Sequence, residues 1–229
     1  ANNAVVALNG SVTNGATSGI WVPLGTGVFT PNDTVLTATY TPSDADTTAG
    51  SVDLILVSTY NASCLAERDT LTINITPAPK PLAGTDITVC ANNADANLNA
   101  AVIGGASTGI WSTTSLGTFT PSNTDLNAVY SPDSADTAAG VVILVLTSTA
   151  NGTCLPESDS LFILITDAPK VDAGPDQGLC SDNADAILVG SVENATGLLW
   201  STPDGTGSFL NDTALVATYL SSAADTAND

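Results

Sequence analysis

No histidine occurs in this chain, and no methionine. Only Arg68, Lys80 and Lys170 are basic, against 23 acidic side chains, for a formal net charge of −20. Each scarcity excludes something. Without histidine there is no Ser-His-Asp triad and no Cys-His pair to activate a thiol. With no histidine and no C-x-x-C spacing, the four cysteines do not read as a zinc site. Three scattered cations make no basic patch, so nucleic acid is excluded as a partner and an anionic membrane surface would repel the chain. The three glutamates, Glu67, Glu157 and Glu193, sit in no cleft motif that would pair two carboxylates for glycoside hydrolysis. No phosphate-binding loop is present. The chain therefore reads as a non-enzyme. No apolar run reaches the roughly 18 residues of a membrane-spanning helix, so membrane insertion is not expected. The longest run, Val141–Leu146, reads as a buried strand. With no signal peptide and no initiator methionine, the sequence reads as a mature or excised piece of a longer protein.

What the chain does have is repetition. Gly19-Ile20-Trp21 returns as Gly109-Ile110-Trp111, Cys64 as Cys154 and Cys90 as Cys180, each 90 positions on. A third copy opens at Ala173-Gly174-Pro175-Asp176 and keeps its tryptophan at Trp200, one position early. A fixed period means one module used several times, and each copy is near the roughly 100 residues of an immunoglobulin-type sandwich. Val, Ile, Thr and Leu alternate with small polar residues between Gly, Asn, Asp and Pro clusters, which is strand patterning. No segment shows a sustained helical period. In the second module the patterning predicts strands at 86–90, 97–103, 109–113, 116–120, 126–131, 140–149 and 160–166, with Asn151-Gly152 turning between the last two. Seven short strands predict an all-β fold of tandem antiparallel immunoglobulin-like sandwiches in a rod-like array.

The expected modules are 1–78, 79–168 and 169–229, joined at Pro77-Ala78-Pro79-Lys80-Pro81 and Ala168-Pro169-Lys170. Proline at these joints makes them short and semi-rigid. The first module lacks its first strand and the third its last strands. Either the parent chain continues or a neighbouring molecule supplies strands.

Four constellations could carry chemistry. Trp21, Trp111 and Trp200 are core residues or sugar-stacking platforms, and their apolar neighbours favour the core; Tyr40, Tyr130 and Tyr219 read as packing residues. The four cysteines allow three pairings. Cys90 with Cys154 is the pairing within one module, which leaves the partners of Cys64 and Cys180 outside the chain; a Cys64–Cys90 staple is the rival. Paired cysteines imply an oxidising, extracellular setting. Asp46, Asp136 and Asp225 recur, as do Asp69 and Asp159, and Asp86 and Asp176. Turn capping is the commoner use of such residues. Ca²⁺ at Asp46, Asp136 and Asp225 is the alternative, without any EF-hand spacing to support it.

The combined pattern, Pro-x-x-x-Ala-Gly-x-Asp-x-x-x-Cys at 79–90 and 169–180, then Gly-Ile-Trp, Gly-Thr-Phe-Thr-Pro, Ala-Gly-x-Val and Asn-Gly-x-Cys, resembles the tandem repeats of giant secreted surface adhesins of Bacteroidota, gliding-motility adhesins among them. The third copy departs from it with Leu220-Ser221-Ser222 in place of Ser131-Pro132-Asp133. The resemblance covers the whole chain. It implies immunoglobulin-like or PKD-like modules at the cell surface, and O-glycans at Asp-Ser/Thr motifs, here on Thr34, Thr47, Thr70, Ser134, Thr137, Ser160, Thr213 and Thr226. The expected function is an extracellular adhesin or surface-filament stalk, with neighbouring repeats and a polysaccharide or other surface ligand as partners. The alternatives are carbohydrate-binding modules, with or without Ca²⁺, a strand-exchanging filament subunit, and a spacer in a secreted hydrolase.

Overall fold

The computed structural model describes residues 1–227, so the last two positions assigned to the third module lie outside the described residues. The chain divides into two compact units, Ala1–Val89 with Asp95–Leu164, and Cys90–Ala94 with Ile165–Asp229.

The first unit opens with β1 (Val6–Ala7), β2 (Ser18–Pro23), β3 (Val28–Thr30), β4 (Thr39–Thr41), α1 (Asp44–Ala49), β5 (Ser51–Thr59) and β6 (Arg68–Asn74). These make two antiparallel sheets, ordered β1-β4-β3 and β2-β5-β6. One sheet contributes Leu8 and Tyr40, and the other Trp21, Val52, Leu54 and Ile73, to a single buried cluster. Two sheets each burying one face against the other form a sandwich.

The same order returns one period on: β7 (Lys80–Leu82), β8 (Ile87–Cys90), β9 (Ala96–Asn97), β10 (Ala101–Ile103), β11 (Thr108–Ser112), β12 (Thr118–Thr120), β13 (Val129–Ser131), α2 (Ser134–Ala139), β14 (Val141–Thr149) and β15 (Ser158–Thr166). The sheets are β11-β14-β15-β8, β12-β13-β9 and the pair β10-β7. Beside β15, the Phe162 N–H donates to Asp86 and the Ala91 N–H to Thr166 O, so β8 and β15 run in the same direction. Trp111 faces Leu146 in the register of β11 and β14, as Trp21 faces Leu56 in the first copy.

The second unit carries β16 (Lys170–Asp172), β17 (Ala186–Val189), β18 (Ser191–Glu193), β19 (Ser208–Leu210) and β20 (Val216–Leu220), in the sheets β16-β18 and β17-β20-β19. Its buried apolar residues among the described residues are Ile165 and Ala217, while Ile187, Val189 and Val216 are exposed. Among the described residues the third copy has no counterparts of β14 and β15, the strands that give the second copy Val142, Leu144, Leu146, Leu161, Ile163 and Ile165 of its core.

The strand patterning located the elements of the second module, with three differences. The expected strand 97–103 is two, because the chain leaves the β13 sheet after Asn97 and joins β7 from Ala101. The proline joint does not stay a linker but enters β7 at Lys80. Val141–Leu146 is not wholly buried: Val142, Leu144 and Leu146 are inside, while Val141 and Ile143 are about half exposed. A strand in an antiparallel sheet with one solvated face buries only alternate residues.

The helices α1 and α2 were not expected, since six residues are too few to show a helical period. Their signal lies at the ends. Ser43 and Asp133 are N-caps whose side chains accept from the N–H three residues on, Asp46 and Asp136 reach back to the cap N–H, and Gly50 and Gly140 close the C-termini in the left-handed region.

Candidate functional site

Each recurring Asp closes a three-way lock. Tyr40 Oη donates to Asp46 Oδ2 at 2.9 Å, the Ser43 N–H donates to the same oxygen at 3.0 Å, and the Thr26 N–H donates to Oδ1 at 3.1 Å. The Gly27 N–H in turn donates to Tyr40 Oη at 3.1 Å. The second copy repeats this with Tyr130 and Asp136 at 2.9 Å, and the third with Tyr219 and Asp225 at 2.7 Å. Ser222 takes the place of Asp133 in the third copy, its N–H reaching Asp225 at 2.8 Å, so the altered loop keeps the lock. The tyrosines also pair with Phe29, Phe119 and Phe209, ring centroids 5.0 Å apart in each case.

The glycine of the Gly-Thr-Phe-Thr signature belongs to the same device. A Cβ on Gly27 would stand 2.5 Å from Tyr40 Oη, and one on Gly117 2.4 Å from Tyr130 Oη. Only glycine lets that backbone approach the hydroxyl. Sequence reading missed these glycines, although their return at 27, 117 and 207 was legible.

Burial, followed by the bond to Asp46, pushes the Tyr40 hydroxyl up to about 12; burial and Asp136 push Tyr130 to about 12 as well. Burial alone would raise Asp46, but the bonds it accepts from Ser43, Thr26 and Tyr40 outweigh that and hold it below the ordinary carboxylate value. Asp136 is lowered in the same way, its burial outweighed by bonds from Ser115, Asp133, Tyr130 and Gly117. The oxygens of Asp46, Asp136 and Asp225 are turned toward N–H and O–H donors of the chain. Among the described residues no group of three or more His, Cys, Asp or Glu side chains is placed to hold a metal ion.

A second constellation lies where the first copy meets the second, inside the first unit. Asn2 Nδ2 donates to Leu155 O at 3.0 Å and to Glu157 Oε1 at 2.7 Å; the Leu155 N–H returns a bond to Asn2 Oδ1 at 3.0 Å; Asn3 Nδ2 donates to Thr153 O. The loop carrying Cys154 is thus clasped to the start of the preceding copy. Cys154 Sγ lies 3.8 Å from Thr76 O and 3.6 Å from Pro77 O. A Cβ on Gly105 would come within 2.3 Å of Pro77 O, so the joint is packed backbone against backbone.

A third is a groove of about 900 Å³ on the first copy, lined by Val6, Leu8, Trp21, Leu56, Asp69 and Leu71 among others. In the second copy β8 fills the corresponding place beside β15. There the Ala83 N–H donates to Asp159 Oδ2 at 2.8 Å and the Phe162 N–H to Asp86 Oδ1 at 2.9 Å. Asp69 is the counterpart of Asp159.

No family model matches the chain, and no curated protein matches it in sequence. Solved structures similar to it are multidomain extracellular proteins. Protocadherin gamma B7 domains 1–4 align over 90% of this chain with 10% identity and a TM-score of 0.36, and the chain spans 56% of that structure. Mouse cadherin-23 EC22-24 aligns over 89% of this chain and 76% of its own, with 12% identity and a TM-score of 0.38. Sidekick-1 immunoglobulin domains 1–5 align over 98% of this chain and 52% of their own, with 14% identity and a TM-score of 0.34.

Trp21 and Trp111 are 4% and 0% exposed, so neither offers a face for a sugar to stack on; Trp200 is half-buried. Cys154 precedes β15, whereas Cys90 Sγ lies against Asp167 O, just past the other end of that strand. Among the described residues all four cysteines are free. Of the glycan candidates, Thr34, Thr70, Ser134, Ser160 and Thr213 are exposed, while Thr47, Thr137 and Thr226 are half-buried and donate to backbone carbonyls of their own turn. No helix among the described residues is long and apolar enough to cross a membrane.

Proposed function

We propose that the chain is part of a non-enzymatic, secreted surface adhesin or filament stalk of the kind it resembles in Bacteroidota, with tandem sandwiches providing reach and O-glycans on the exposed Asp-Ser/Thr motifs. The observation that carries this is the clasp between Asn2 and the Cys154 loop: the contact between successive copies is made from residues present in both the first and the second copy, as Asn92 and the Cys64 loop show. A module whose joint is built from its own repeated parts serves extension. A charge of −20 keeps such an array soluble and discourages self-association. Small-angle scattering of the chain should give a radius of gyration well above the roughly 17 Å of a compact globule of this length; a value near 17 Å would sink the stalk.

The groove on the first copy favours a second reading, strand complementation between modules. Its occupant is a first-strand segment of the Ala-Gly-x-Asp type, seated with a backbone N–H on Asp69 as Ala83 is on Asp159. A peptide of residues 80–89 added to the chain should bind, quench or shift Trp21 fluorescence, and lose affinity at least tenfold with Asp69→Ala. Binding indifferent to Asp69, or none at millimolar peptide, argues against it.

A further inference from the structure

Cys90 Sγ lies against Asp167 O, and the Ala91 N–H beside it donates to Thr166 O at 2.8 Å. Cys154 Sγ lies against Thr76 O and Pro77 O. Positions 76 and 77 are 166 and 167 one period earlier. The same pair of carbonyls at the end of a module is therefore approached twice: once by the first-strand cysteine of that module, and once by the loop cysteine of the module after it. The Asn2 clasp says the same independently. Asn2 bonds to Leu155, the neighbour of Cys154, and Asn2 stands where Asn92 stands, two places after a first-strand cysteine.

We propose that the disulfides of this protein cross module junctions, each joining the first-strand cysteine of one module to the loop cysteine of the next. Cys154 takes a cysteine standing one place ahead of Ala1, as Cys90 stands ahead of Ala91. Cys90 and Cys180 take the loop cysteines of the modules after their own, and Cys64 takes a first-strand cysteine of a module before. No two of the four pair with each other. The inference rests on the tandem-array reading and gives it a covalent joint, so that load along the array passes through sulfur at every junction. Forming the S–S bond removes two protons and two electrons from the two thiols, and a disulfide oxidant such as glutathione disulfide is reduced to two thiols in return.

The test is a chain with one cysteine added ahead of Ala1, oxidised with glutathione disulfide and mapped by non-reducing peptide mass spectrometry. The expected result is a link between the added cysteine and Cys154 in most molecules, with Cys64, Cys90 and Cys180 still alkylated. In the Cys154→Ser variant the added thiol should stay free. The unmodified chain should show no internal disulfide. A Cys90–Cys154 or Cys64–Cys90 link, or an added cysteine that stays free beside an alkylated Cys154, overturns the proposal. Because the link is read in a chain of defined ends, its failure reports on the junction geometry, whereas compact scattering would report on the array.

Discussion

Trp111→Ala should destabilise the second module by about 3–5 kcal/mol, the range for emptying a wholly buried large aromatic site. Trp111 is fully buried opposite Leu146. Trp111→Phe should cost far less than Trp111→Ala. Trp21 Nε1 donates to Leu36 O and Trp200 Nε1 to Ala214 O, but Trp111 Nε1 is buried with no acceptor, so removing its N–H removes a penalty of about 1–3 kcal/mol while most of the ring volume stays. The measurement is hydrogen exchange resolved to β11, β14 and β15, since tandem modules need not unfold together. If Trp111 instead stacked on a sugar, its truncation would weaken polysaccharide binding and leave exchange unchanged.

Asp136→Ala should cost about 3 kcal/mol. Roughly 1 kcal/mol is the capping-box bond that Asp136 accepts from the Asp133 N–H, and the remainder is the Tyr130 hydroxyl left buried without its acceptor. Tyr130→Phe should fall short of this, because the carboxylate keeps its bonds from the Asp133 N–H and its neighbours. The pH dependence follows from the same bonds. Asp46 and Asp136 are held below their ordinary value of 3.8 when folded. Their stabilisation is therefore complete above about pH 4 and is lost as the pH falls through the lower folded value. Tyr40 and Tyr130 are raised from 10.0 to about 12, so their contribution is complete below pH 10 and is lost as the pH rises toward 12. Protection of β4 and β13 measured against pH should show a plateau between these limits. A protein equally protected at pH 2 and pH 6, or an Asp136→Ala variant within 0.5 kcal/mol of the parent, would show the lock to be ornamental.

The sequence by itself determined the all-β class, the 90-residue period, the place of nearly every long strand, and Trp21 and Trp111 as core, because alternation of side chains and recurrence of landmarks are local properties that tertiary packing had only to respect. It also read Asp46, Asp136 and Asp225 as turn-capping residues, with Ca²⁺ as the alternative. It did not reveal that each cap is shared with a tyrosine and a glycine up to 20 residues away in the chain; those partners meet only once β4 lies beside β3 and the helix folds back. Strand 97–103 could not be seen to change sheets, because both halves carry the same alternation and only pairing decides where each goes. The cysteines are the clearest case. Spacing along the chain put Cys90 and Cys154 together, since they are the two thiols of one repeat. In the fold Cys90 lies beside Asp167 O, and Cys154 beside Thr76 O and Pro77 O one period earlier, contacts that spacing along the chain does not show.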